Sequence, residues 1–312
     1  MLCTIHRFGG TDNLTLPHIL AAALDAAIWG TNFVAIDILL RDVPPIFATA
    51  LRFFFAAIPA IFFIRPPKTS VRNVILYGAF MFAGHFGFLC IAMRVGLSAG
   101  LASLILQVHV FITIALAMVF LRERPNIFQI IGAALAFTGI AFVATQRGGD
   151  ITTAGLAFVL LAALSWGTAN LLSKQIGSVN MLALIVWGSF ATMPPLLALS
   201  LILEGPAQAI ASLTNIKWIT VAALAYIVYI STWVGFTIWS TLLSRYPTAT
   251  VTPFALLVPV FGMFSSALLL GEPLQPWKFV AAALVLSGLA INVFGPRLHA
   301  LTQTSRSQRS PH

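Results

Sequence analysis

Three observations predict an all-α polytopic membrane protein of ten transmembrane helices, arranged as two inverted five-helix repeats. The first is composition. Of 312 residues, 59% are apolar and 8% charged, and the mean hydropathy is +0.97, whereas a soluble domain carries about 25% charged residues. The second is a succession of ten almost uncharged runs, each long enough to cross a bilayer and each ended by Pro or Gly. The third is a self-similarity between two halves that each hold an odd number of runs. This composition excludes a soluble enzyme, a disordered chain and a small disulfide-framed module. Cys3 and Cys90 stand alone, and the 17 Lys and Arg are scattered singly between apolar runs. The net charge of +9 therefore reads as loop charge that orients a membrane protein, with no nucleic-acid partner.

The first five runs lie at roughly 17–39, 45–64, 73–93, 97–121 and 126–145. The first is longer than a signal-peptide core and lacks a small-residue cleavage site, so it is a retained span. Pro44-Pro45 separates it from the second, Pro66-Pro67 ends the second, Gly96 the third, Pro125 the fourth and Gly148-Gly149 the fifth. The second five lie at roughly 153–173, 180–203, 217–243, 248–270 and 276–295, with breaks at Gly177, Gly205-Pro206, Pro247, Gly271-Glu272-Pro273 and Gly295-Pro296. At 1.5 Å per residue each run gives about 30–40 Å of helix, enough to cross the hydrocarbon with tilt. The domains expected are an N-terminal segment 1–16, a first repeat 17–146, a second repeat 153–295 and a polar, disordered tail 296–312. Eleven Lys and Arg fall on the N-terminal side of the membrane and five on the other, with Arg52 inside a span. The positive-inside rule then puts both termini in the cytoplasm.

The halves echo each other residue by residue. Leu24, Ala26 and Trp29-Gly30-Thr31 recur as Leu161, Ala163 and Trp166-Gly167-Thr168, 137 residues later. Glu123 recurs as Glu272, and residues 132–141 resemble 281–290, both 149 residues later. The extra 12 residues fit in the long connection around 204–216. Because five is odd, the second copy enters from the opposite side of the membrane, an architecture that places a central site between the copies.

Polar groups inside the spans are the candidate functional residues, since each costs about 3 kcal/mol to insert unless partnered or hydrated. Asp25, Trp29, Asn32 and Ile36 share one stripe of the first helix. Asp25 reads either as a titratable coupling carboxylate, with the proton as coupling ion, or as the counter-ion of Arg52. Arg52 reads as a pin between the first two helices or as a ligand for a substrate carboxylate. His85 and His109 read as packing groups or cavity groups, and Gln107 is preferred for a cavity over His109. Trp166, Asn170 and Ser173 form a polar–aromatic stripe on the sixth helix, and Tyr226, Tyr229, Trp233, Thr237 and Ser240 on the eighth. Pro253 and Pro259 break the ladder of the ninth helix and supply hinges or free carbonyls. HExxH, P-loop, GxSxG and Cys/His metal motifs are missing from the sequence, so no enzyme class, cofactor or metal is indicated. The remote enzymatic reading pairs Ser103 or Ser165 with His85 or His109.

Trp29-Gly30-Thr31-Asn32-Phe33, Leu51-Arg52-Phe53, residues 98–107, Glu123, residues 253–260, Glu272 and residues 289–295 together resemble the EamA-type drug/metabolite transporters. The resemblance covers about residues 18–296. It implies helices 1, 3, 4, 6, 8 and 9 around a central cavity in a bacterial inner membrane. It also implies export of small amino-acid-type metabolites such as cysteine and O-acetylserine, with drugs or nucleobases as the alternative cargo. On that basis Asn32, Gln107 and Asn170 are expected to hydrogen-bond a zwitterion, while Trp29, Trp166, Tyr229 and Trp233 shape the cavity. Asp25, His85 and His109 depart from the pattern expected of such exporters.

Overall fold

A computed structural model describes residues 14–146, 150–177 and 179–307. Cys3, Arg7 and the Gly148-Gly149 break lie outside the described residues. Among the described residues, ten helices have the length and hydropathy to cross a membrane: α1 (Leu16–Asp42), α2 (Pro45–Phe62), α3 (Val71–Arg94), α4 (Ala99–Leu121), α5 (Ile127–Thr145), α6 (Thr153–Ile176), α7 (Met181–Leu203), α8 (Trp218–Arg245), α9 (Thr252–Leu270) and α10 (Pro276–Pro296). The connection after α7 folds into a short helix, Pro206–Thr214. Helical backbone continues from α10 past the expected break at Pro296 to Ser307.

The helix ends follow from local chemistry. Pro17 and Pro45 sit in the first turns of α1 and α2, where the missing N–H would have had no partner. The hydroxyl of Ser70 and the side-chain carbonyl of Asn180 accept the N3 amides of α3 and α7, and Asn126 with Gln129 forms a reciprocal capping box at α5. The C-termini of α4 and α9 both close in the left-handed region, with Gly271 at φ 72° and Arg122, its mate 149 residues earlier, at φ 54°.

Packing obeys a pseudo-two-fold relation that exchanges the repeats. Helix α1 packs on α8 and α9 as α6 packs on α3 and α4, while α2 meets α7, α4 meets α9 and α5 meets α10. The equivalence extends to single residues: Gly30 abuts Phe261 and Gly262, and Gly167 abuts Ile112 and Thr113, pairs displaced by the same 137 and 149 residues as the sequence echo. A Cβ at Gly30 would lie 2.5 Å from Phe261 and at Gly167 2.9 Å from Ile112, so glycine is what lets these helices close. Backbone irregularities are mirrored too. A π segment interrupts α3 at Ala79–Gly84 and α8 at Tyr226–Gly235, and a 3₁₀ turn interrupts α4 at Leu106–Val108 and begins α9 at Thr252–Leu256. Such breaks survive in a membrane only where other groups take the freed carbonyls. Here they do: Ser165 donates to Phe80 O at 2.8 Å and the Trp29 indole to Ser231 O at 3.1 Å.

Candidate functional site

We call the membrane face at which α1 begins proximal and the opposite face distal. Counting rise from the distal helix ends puts Asn32 on α1, Arg52 on α2, His85 on α3 and Gln107 on α4 at depths of about 10–15 Å. All four are buried, with exposures of 2–7%. Buried side-chain atoms without a hydrogen-bond partner among the described residues include Asn32 Oδ1, Arg52 Nε and His85 Nδ1. Native interiors seldom leave such atoms unpaired, and each one marks a place for a ligand or water. Three helices therefore bring an acceptor, a charged donor and an imidazole nitrogen to a common depth.

Arg52 is held by groups that sequence reasoning did not identify. Its Nη2 donates to Thr232 Oγ1 at 3.0 Å, and its guanidinium carbon lies 3.8 Å above the Phe86 ring. Thr232 itself donates to Ile227 O, five residues back, a bond made by the π segment. The only signal in the sequence was a hydroxyl inside an aromatic-rich span, and nothing pointed from it to α2. The expected Asp25–Arg52 ion pair is not formed. Asp25 is fully buried and neither carboxylate oxygen has a hydrogen-bond partner among the described residues. It lies instead against Gly235, three residues beyond Thr232 on α8, where an added Cβ would be 3.2 Å from Asp25 Oδ1 and 2.6 Å from Trp29 Nε1. The two charges also sit at different heights, about 25 Å and about 10 Å from the distal helix ends by rise, and Thr232 and Phe86 hold the guanidinium.

Other expected site residues are placed as follows. The half-buried Trp29 packs its ring against Phe236 and Trp239. Trp166, its repeat mate, lies between two imidazoles: His109 is stacked parallel at 3.7 Å and His85 is 4.7 Å away. Gln107 Nε2 donates to Ala255 O at 3.2 Å. That carbonyl is the one Pro259 cannot bond, so the proline supplies the free carbonyl expected of it. In the mirrored position Leu106 O takes His109 Nδ1 at 2.9 Å. Asn170 Nδ2 donates to Thr113 Oγ1 at 3.1 Å. The amide nitrogens of Gln107 and Asn170 are thus engaged within the bundle, and only Asn32 of the three expected ligands keeps a buried acceptor unpaired.

The aromatic stripe expected on α8 is split. Tyr226 faces α1, donating to Ile28 O at 3.0 Å and pairing with Thr31, whereas Trp233 donates to Ala56 O of α2 at 3.2 Å. Tyr229 is 42% exposed and stands edge-on to Trp233. The π segment inserts extra residue per turn, so spacing drawn for 3.6 residues mixes two faces. The enzymatic pairing is not assembled either: Ser103 donates to Gly100 O and Ser165 to Phe80 O.

Every Asp, Arg and His away from the span ends belongs to the first repeat. Positions 137 residues after Asp25 and Arg52 hold Ala162 and Ser189, and Val258 stands 149 residues after His109. Among the described residues, no group of three or more His, Cys, Asp or Glu is arranged to hold a metal.

Two inverted repeats enclosing polar groups in mid-membrane define a membrane transporter. The sequence profile of the EamA-like transporter family matches residues 16–145 and again 153–294, once per repeat, and the chain belongs to that family. It is 40% identical over 282 residues to the probable amino-acid metabolite efflux pump of Escherichia coli (strain K12), covering 88% of this chain and 94% of that protein. Identity to the protein of the same description from Salmonella typhimurium (strain LT2) is 39% over 290 residues, or 91% and 97% of the two chains. A solved structure described only as the crystal structure of a protein shares the fold, with a TM-score of 0.57 at 18% identity over 94% of this chain and 99% of the other.

Proposed function

We propose that this transporter exports small amino-acid-type metabolites across a bacterial inner membrane by alternating access, with Arg52, Asn32 and His85 as the polar heart of its site. The observation that carries the reading is the trio of unpaired atoms at one depth: Asn32 Oδ1, Arg52 Nε and His85 Nδ1. A zwitterion offers a carboxylate to Arg52 and an ammonium to Asn32, which suits these donors and acceptors. Gln107 and Asn170 position α4 and α6 around that site, and Trp29 and Trp166 wall it. Asp25, fully buried without a partner among the described residues, is stable there with a proton or cation against it, which fits it for coupling export to a proton gradient. The relatives described as amino-acid metabolite efflux pumps support the cargo, and the bias of basic residues supports cytoplasmic termini.

A second reading, export of flat cations or nucleobases, draws on Asp25 lying beside Trp29, which packs against Phe236 and Trp239. One experiment separates the two. Purified protein in liposomes is tested with radiolabelled cysteine, O-acetylserine, neutral amino acids, nucleobases and cationic dyes under an imposed pH gradient. The amino-acid reading expects gradient-driven movement of the zwitterions. It also expects affinity to fall about 5- to 150-fold in each of Arg52→Gln, Asn32→Ala and His85→Gln, the loss of one buried polar contact. Transport of dyes or nucleobases alone favours the second reading. Wild-type amino-acid transport in all three variants overturns the site.

A further inference from the structure

We propose that a cavity on the proximal face, between the connection after α2 and the start of α7, binds an anionic membrane phospholipid, with Arg65 and Lys68 on its phosphate. The cavity measures about 440 Å³ and is lined by Phe63, Arg65, Pro67 and Lys68 on one side and by Leu182 and Ala183 on the other. That volume lies in the range of about 300–1,000 Å³ in which proteins hold small ligands. Both cations are exposed to solvent. The surface next to them is apolar: Phe62 and Phe63, where α2 ends, are 77% and 83% exposed, and Leu182 is exposed across the cavity. Cations beside exposed aromatic surface match a molecule with an anionic head and apolar tails, and basic pockets between membrane helices take such headgroups. A free anion offers nothing to the two phenylalanines, so the occupant is a lipid.

The chain around the cavity brings no negative charge of its own. No Asp or Glu occurs between residues 43 and 122 or between 151 and 203, the two stretches that supply the walls. The pseudo-two-fold shows what kind of group belongs there. It carries this junction, where α2 ends and α7 begins, onto the distal junction, where α7 ends and α2 begins. There Glu204 accepts the amides of Ile46 at 2.7 Å and Phe47 at 2.9 Å, the second and third residues of α2. The second and third residues of α7 are Leu182 and Ala183, both on the cavity. The residue 137 before Glu204 is Pro67, also on the cavity and without a carboxylate. The distal junction thus carries its anion in the chain, whereas the proximal one sets a proline beside two cations. Ala183 N already donates to Asn180 Oδ1 at 3.1 Å, so Arg65 and Lys68 hold the phosphate rather than the helix amides. A headgroup from the bilayer takes the place of Glu204 and joins the first repeat to the second on this face.

The inference does not depend on the cargo, so its test uses no substrate. The full chain is purified in detergent, and native mass spectrometry follows binding of dioleoyl phosphatidylglycerol, dioleoyl phosphatidylcholine and inorganic phosphate. Phosphatidylglycerol should bind in preference to phosphatidylcholine, and excess inorganic phosphate should not displace it. Each basic group beside an anionic headgroup contributes about fivefold, so Arg65→Gln combined with Lys68→Gln should weaken binding about 25-fold. Arg122→Gln combined with Arg124→Gln, on the same face but outside the cavity lining, should leave it unchanged. All four side chains are exposed, and an unchanged melting temperature without added lipid verifies that both double variants are folded. Equal binding of the two lipids, or equal losses in the two double variants, overturns the proposal by reducing the effect to the charge of the whole face. Displacement by inorganic phosphate overturns the lipid as the occupant.

Discussion

Replacing Thr232 with Val removes one oxygen while keeping shape, and it tests which group holds the buried charge of α2. Arg52 is 4% exposed, its Nη2 donates to Thr232 at 3.0 Å and its Nε is unpaired among the described residues. A hydrogen bond to a charged group contributes about 1.5–3 kcal/mol. Thr232→Val should therefore shift the folded-to-unfolded ratio about 10- to 150-fold, while the contact with Phe86, worth about 2 kcal/mol when desolvated, remains. A double-mutant cycle isolates the pair from the bond Thr232 also makes to Ile227. With Arg52→Met the coupling should be about 1.5–3 kcal/mol, because removing the acceptor costs little once the cation is gone. The cycle between Asp25→Asn and Arg52→Met should close to within about 0.5 kcal/mol, as for groups that do not share a bond. An ion pair there would leave about 3–5 kcal/mol when one member is removed. The assay is reversible unfolding in mixed micelles followed by tryptophan fluorescence. Coupling near 3 kcal/mol between Asp25 and Arg52, or none between Thr232 and Arg52, would refute the arrangement described.

Gly235→Ala should cost about 1–3 kcal/mol and depress transport, because its Cβ meets Trp29 Nε1 at 2.6 Å and forces α1 from α8. Gly87→Ala, with nothing within 4 Å of the added carbon, should instead be stabilising by about 0.5–1 kcal/mol, and thermal shift in detergent separates the two. Arg122→Gly should raise stability by about 1 kcal/mol, since the left-handed backbone at φ 54° strains any side chain there; a lower melting temperature would contradict it. Pro259→Ala restores an N–H able to take Ala255 O, so it should loosen Gln107 and lower the transport rate without lowering the melting temperature.

The spans were legible because hydropathy and Pro/Gly punctuation act locally, and the repeat because Trp29-Gly30-Thr31 and Trp166-Gly167-Thr168 each serve one close helix contact. Depth along a helix was also legible, which is why Asn32, Arg52 and Gln107 were singled out. Rotation about the helix was not. The π segment from Tyr226 to Gly235 turns α8 between its two ends, so Trp233 and Tyr226 address different neighbours although they share a stripe at 3.6 residues per turn. Partners far apart in sequence were invisible as well. Arg52 and Thr232 are 180 residues apart, as are no local rules, and Glu204 reaches the start of α2 from 158 residues away.

The Asp, Arg and His side chains away from the span ends all belong to one half of a duplicated chain, and this divides the labour between the halves. Asp25, Arg52 and His109 face Ala162, Ser189 and Val258 across the duplication, while the glycine contacts at Gly30 and Gly167 are kept in both copies. The first copy carries the charge and the second supplies a partner surface, so the constraint shared by both copies is shape at the close helix contacts. On the proposed reading, substitutions within residues 16–145 alter the charges that meet the cargo, while those in the second half act through the walls and partners, such as Trp166 and Thr232, that hold these charges in place.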